Sequence, residues 1–116
     1  MRLESKKLLK DVLDAIDLLV QFSAGKTFAD YERDPMLRAA VEREFEIVGE
    51  ARQQFRAKDP ETANAIPEHR RIVAFRNVLI HGYAQLENRL VWEALTSRLD
   101  PVRSAVRGLL ESPRGD

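Results

Sequence analysis

Leu9-Lys10-Asp11-Val12-Leu13-Asp14-Ala15-Ile16-Asp17-Leu18-Leu19 sets apolar side chains at 9, 12, 13, 16 and 19, with charges in most of the gaps. Steps of three and four residues place those side chains on one stripe of an α-helix and on no single face of a strand. The same spacing recurs at Leu37, Val41, Phe45, Val48, Ala51 and Phe55, and again at Val91, Leu95, Leu99, Val102, Val106 and Leu109. Punctuation falls between the stripes. The first helix is expected to stop near Gly25, and Thr27 and Asp30 can cap a short helical turn carrying Phe28 and Tyr31. Asp34-Pro35 is a start signal, an N-cap followed by proline in the first turn. The second long helix should run to about Lys58, because Asp59 precedes Pro60 and is pushed out of the helical region. Pro67 opens a third, with Ile72, Phe75 and Leu79 on one face and Gly82 placed to end it. The last begins near Glu87, with Pro101 kinking or restarting it. No stretch alternates as a strand does. The fold expected is all-α, an up-down bundle of four main helices plus a short turn, forming a single domain over residues 1–116.

Composition narrows the classes of function. Of 116 residues, 44% are hydrophobic and 33% charged, as in a folded, helix-rich chain. The longest apolar run is Ile72-Val73-Ala74-Phe75, too short to span a membrane, and the N-terminus leads into an amphipathic pattern. A cytoplasmic protein is therefore expected. Cysteine is absent, which excludes disulfides, thiolate metal sites and cysteine nucleophiles. Nineteen basic residues balance nineteen acidic ones, so bulk charge offers nucleic acid no attraction. Most of the cations are arginines, however, whose planar fork suits phosphate better than lysine does.

The chemistry concentrates in Arg76-Asn77-Val78-Leu79-Ile80-His81-Gly82-Tyr83, which holds one of only two histidines in the chain. On a straight helix, Arg76 and His81 point about 140° apart at about 100° per residue, so they do not converge on one phosphate. Two arrangements bring them together. The chain can turn at Gly82 and re-aim His81 and Tyr83, or a second copy can present the same motif across a two-fold axis.

This Arg-Asn-x3-His-Gly-Tyr segment resembles the signature of HEPN proteins (higher eukaryotes and prokaryotes nucleotide-binding), and within them the HepT toxin group. Val48-Gly49-Glu50-Ala51 is similar to a segment of that family's preceding long helix. Val91-Trp92-Glu93 and Leu99-Asp100-Pro101 are similar to its last helix, so most of the chain is covered. Ala74 and Phe75 depart from the glycine and methionine common in relatives, and Glu68 from a frequent tryptophan. The resemblance implies a HEPN-like bundle, a homodimer with a composite cleft, and an endoribonuclease toxin. It also implies a cognate minimal nucleotidyltransferase as antitoxin, forming a complex or transferring AMP to Tyr83.

Such a cleft needs a base for the RNA 2′-hydroxyl, an acid for the departing 5′-oxygen, and cations around phosphorus. Histidine suits the proton transfers, with a reference pKa of about 6.5. On this reading Arg76 and His81 are catalytic, and Asn77, one turn before His81, orients the ring or a phosphate. Tyr83 is the modification site. No metal and no cofactor are expected: the two histidines, His69 and His81, lack ligand spacing. Glu42, Glu46 and Glu50 form an i, i+4 stripe that reads as a solvated face. Trp92 reads as a core anchor, Gly49 as a point of close helix approach, and His69-Arg70-Arg71 as a positive rim. A second class stays open at this level, a non-catalytic helical module that binds a nucleotide or a partner protein with the same motif.

Overall fold

The computed structural model describes residues 2–66 and 84–111, with side chains from residue 88 onward in the second span. These residues form six helices and no strand: α1 (Leu3–Ser23), α2 (Phe28–Arg33), α3 (Pro35–Lys58), α4 (Pro60–Asn64), α5 (Ala84–Ser97) and α6 (Leu99–Glu111). The all-α reading holds, and the expected helix from Pro67 to Gly82 lies outside the described residues.

Each boundary has a local cause. Helix α1 ends at Ser23, and Gly25 follows with φ of 72°, a left-handed conformation that a Cβ disfavours. Thr27 and Asp30 then close a reciprocal capping box. The Thr27 amide donates to the Asp30 carboxylate at 2.9 Å, and the Asp30 amide donates to the Thr27 hydroxyl at 3.2 Å. The first of these bonds is the main reason the Asp30 carboxyl sits below its ordinary pKa. Its stabilisation is therefore present above the unfolded-state pKa and is lost as pH falls through the lowered, folded-state value. Asp34 starts α3 by accepting from the Met36 and Leu37 amides at 3.0 and 3.1 Å.

Asp59 does two jobs where the sequence suggested one. It stops α3, its amide donating to Phe55 O at 2.8 Å, and its carboxylate then accepts from the Thr62 amide at 3.2 Å to start α4. The Asp59-Pro60 pair is thus a second copy of the Asp34-Pro35 signal, and α4 is an element the periodicity had not suggested. Five residues are too few to show it. Helix α5 begins at Ala84, three residues before the expected Glu87. The expected interruption near Pro101 falls at Arg98, and Pro101 occupies the first turn of α6, where a missing N–H costs least.

Among the described residues the core is drawn mainly from three of the expected stripes, with Leu37 and Leu109 at its edge, and the stripe Ile72, Phe75 and Leu79 lies outside them. Leu9, Val12, Ile16 and Leu19 of α1 are sealed together with Val41, Phe45, Val48 and Phe55 of α3, Tyr31 of α2, Val91 of α5, and Val102 and Val106 of α6. Helices α1 and α3 run antiparallel, since Lys58 at the end of α3 pairs at 2.9 Å with Glu4 at the start of α1. Helix α6 returns antiparallel to α1. Asp17 pairs with Arg103 at 2.9 Å and reaches Arg107 at 3.7 Å, while Asp100 and Leu99 lie near Val20 and Ser23. Full burial of a large aliphatic or aromatic side chain contributes about 1.5–3 kcal/mol. A solvent-exposed ion pair contributes about 0–1 kcal/mol. The stripes hold the bundle, and the charge pairs are consistent with the direction in which its helices run.

Two exposed glycines should respond oppositely to alanine. Neither Gly25 nor Gly108 has a neighbour that a Cβ would meet. Gly25→Ala should lower stability by about 1–2 kcal/mol through its left-handed backbone. Gly108→Ala, inside α6, should raise it by roughly 0.5–1 kcal/mol through helix propensity. Urea denaturation of the two variants would read both signs.

Candidate functional site

Arg76, Asn77, His81 and Tyr83 lie in the span 67–83, outside the described residues, as do His69, Arg70 and Arg71. What the structure does define is how the chain is held on either side of that span.

On the N-terminal side, α4 ends in a compact turn. The Ala65 amide donates to Thr62 O and the Ile66 amide to Ala63 O, both at 3.1 Å. Ala63 and Ile66 are buried in the core. Arg52 reaches this turn from α3. The residue is 1% exposed, and its Nη2 donates to Ile66 O at 3.4 Å. Sequence reasoning passed over Arg52, although a signal was present. Residues 41, 45, 48, 52 and 55 continue one three-four register, so an arginine stands where the stripe calls for an apolar side chain.

On the C-terminal side, α5 is docked by α2. The Trp92 ring lies 5.7 Å from Tyr31 and 6.5 Å from Phe28, both tilted, so Trp92 packs against the core as expected, though half-buried and at its edge. Arg89, on the exposed face of α5, holds its guanidinium 5.1 Å from the Phe28 ring centre.

Elsewhere the described residues carry little chemistry. None of them forms a group of three or more His, Asp or Glu side chains arranged to hold a metal ion. Within the glutamate stripe of α3 only Glu50 is exposed; Glu42 and Glu46 are half-buried, and Glu46 lies 3.6 Å from the exposed Arg43 of the same helix. The groove between α1, α5 and α6 is lined by Val20, Ser23, Leu95, Thr96, Leu99 and Asp100, a lining with one carboxylate and no histidine or arginine to work with it. No helix among the described residues is long and apolar enough to cross a membrane.

Comparison with known proteins agrees with this architecture. Residues 12–109 match the family described as "Ribonuclease HepT-like", a stretch that takes in both flanks and the whole of the 76–83 signature. A protein of Caldanaerobacter subterraneus subsp. tengcongensis named "Putative RNase TTE0752" is 27% identical over 106 residues, covering 91% of this chain and 94% of that one. "Probable ribonuclease HepT" of Thermococcus cleftensis is 32% identical over 99 residues, covering 82% and 86% respectively. No solved structure matches the chain significantly. An all-helical bundle with this signature and a family match over most of its length has one assignment: the chain belongs to the HepT-like ribonuclease family.

Proposed function

We propose that the chain is a metal-independent endoribonuclease toxin, acting as a homodimer and restrained by a nucleotidyltransferase antitoxin. The observation that carries this reading is the Arg76-Asn77-x3-His81-Gly82-Tyr83 signature inside a HepT-like match of residues 12–109. Arg76 binds the scissile phosphate and stabilises the charge that builds on its oxygens. One copy of His81 takes the proton from the 2′-hydroxyl as the 2′-oxygen attacks phosphorus. The copy in the second subunit protonates the 5′-oxygen as the P–O5′ bond breaks. The products are a 2′,3′-cyclic phosphate and a 5′-hydroxyl end, and the chemistry consumes the 2′-hydroxyl, so DNA is not a substrate. Asn77 orients the ring or a phosphate oxygen.

The dimer is the arrangement that brings Arg and His together even where the segment is one straight helix, on which Arg76 and His81 diverge by about 140°. Sedimentation at micromolar concentration should therefore give a dimer, and a species of one 13.3 kDa chain alone would sink the composite cleft.

Arg76→Ala and His81→Ala should each lower RNA cleavage by roughly a hundredfold or more, with the helical circular dichroism of the parent retained. Cleavage should survive EDTA. Parental activity in His81→Ala, or a strict Mg²⁺ requirement, would replace this mechanism with another.

Tyr83 serves as an acceptor for AMP. A phenol with a reference pKa of about 10 stays protonated at neutral pH and makes a poor base. An added nucleotide brings bulk and negative charge beside His81, which blocks the cleft and repels RNA phosphate. Tyr83→Phe should keep much of the ribonuclease activity yet escape silencing when a nucleotidyltransferase partner is co-expressed. Peptide mass spectrometry of the parent should then localise added AMP to Tyr83. AMP found on Tyr31, or full neutralisation with no modification, would favour inhibition by complex formation.

A further inference from the structure

Helix α5 carries an arginine that the described residues leave unneutralised. Arg89 is exposed, and its guanidinium carbon lies 5.1 Å from the centre of the Phe28 ring. Phe28 is itself fixed: the Thr27–Asp30 capping box sets it at the first position of α2, and the Trp92 ring packs against it at 6.5 Å. Nearby carboxylates are engaged elsewhere. Glu93, one turn further along α5, pairs with Arg98 at 2.8 Å, and Asp30 pairs with Arg33 at 2.8 Å. Among the described residues Arg89 makes no ion pair and no side-chain hydrogen bond. Lys26, two residues before Phe28, is exposed and has no ion pair among them either. Two cations without a counter-charge thus flank one aromatic ring. Glu32, one turn beyond Phe28 on α2, is exposed and forms no ion pair with Arg89, so a polyanion on this patch is expected to run toward Lys26.

From this arrangement we propose that Arg89, seated on Phe28 and flanked by Lys26, is a binding subsite for single-stranded RNA. A guanidinium on a ring can offer its second face to a nucleobase and its N–H edge to a phosphate oxygen. Every base has a face that stacks, and a duplex hides those faces. The Phe28 ring restricts the positions open to the Arg89 side chain, so less freedom is lost when RNA binds. Lys26 adds a phosphate contact as a point charge. The subsite rests on RNA as the substrate and is independent of which residues cut it. Its contribution is to affinity, so it belongs in Kd and KM while kcat stays near the parental value.

The test measures Kd by fluorescence anisotropy for a labelled 2′-O-methyl single strand of about 12 nucleotides, a length within common site sizes, and for a duplex of the same length. The methyl group blocks attack by the 2′-oxygen, so the probe survives the proposed chemistry. Arg89→Ala should weaken single-strand binding by about fivefold or more, and Arg89→Lys, which keeps the charge and loses the plane, should fall between it and the parent. Phe28→Leu should weaken binding by about threefold or more. Lys7→Gln removes a cation already paired with Asp11 and should stay within about twofold of the parent. The duplex should bind more weakly and respond less to Arg89→Ala. Melting curves on the same samples check folding, and if Phe28→Leu does not fold, the exposed Arg89 decides alone. Parental Kd in Arg89→Ala overturns the inference, and loss of the dimer by that variant would then assign the patch to a protein interface. Equal losses in Lys7→Gln and Arg89→Ala, or equal sensitivity of duplex and single strand, also overturn it. Cleavage of total cellular RNA, followed in parallel, keeps the two readings apart. A parent that cleaves while Arg89→Ala binds normally removes only the subsite. A parent that binds the strand through Arg89 and cleaves no RNA removes only the catalytic reading.

Discussion

Two long amphipathic helices running antiparallel, α1 and α3, create the surface on which everything else is placed. Neither can leave its stripe of valine, leucine, isoleucine and phenylalanine in water, and each stripe is too long for α2 or α4 to cover. Once they pair, the remaining elements find their places by what is left uncovered. Helix α6 lies along α1 through Val102 and Val106, and α2 presents Tyr31 to Trp92 of α5. The Glu4–Lys58 pair is exposed, where solvent screening keeps it worth little, while Asp17 Oδ1 and Arg103 Nε meet out of solvent on half-buried side chains. Apolar burial therefore fixes the architecture, and the pairs Glu4–Lys58 and Asp17–Arg103 are consistent with the direction in which the helices run.

That arrangement explains how a chain with no net charge is compatible with an RNA substrate. On α1, Lys7 pairs with Asp11 and Lys10 with Asp14, each four residues apart, so much of the exposed face of that helix is neutralised within itself. Recognition of phosphate must then come from particular arginines and not from a diffuse field. The 76–83 signature supplies one such arginine, Arg76, and Arg70 and Arg71 precede it in the sequence.

Most of the helical outline was legible in the sequence because its limits are set locally. Asp34-Pro35, the Thr27–Asp30 box and Asp59-Pro60 each act within four residues, and the structure places α3 where those signals put it. Misreadings came where one residue has two functions or where an element is shorter than a hydrophobic period. Asp59 ends one helix and begins another, and α4 has no stripe to reveal it. Arg52 escaped notice for a different reason: a charge in a core register looks like an interruption of the pattern until a contact such as that with Ile66 O is known. The residue types of the signature and its likeness to the family point to a ribonuclease chemistry, whereas helical periodicity alone sets Arg76 and His81 apart and leaves the geometry open.

The pairing of Asp17 with Arg103 joins the first helix to the last. Contacts between distant parts of a chain form late, because the loop between them must first be closed. During synthesis at roughly 5–20 residues per second, the part of α1 that α6 covers stays bare for several seconds after α1 itself has emerged. The local caps let α1, α2 and α3 take shape in that interval, whereas the finished bundle must wait for the ribosome to deliver its C-terminal helix. A nascent chain of this protein is thus a helical hairpin with an open flank before it is a closed bundle.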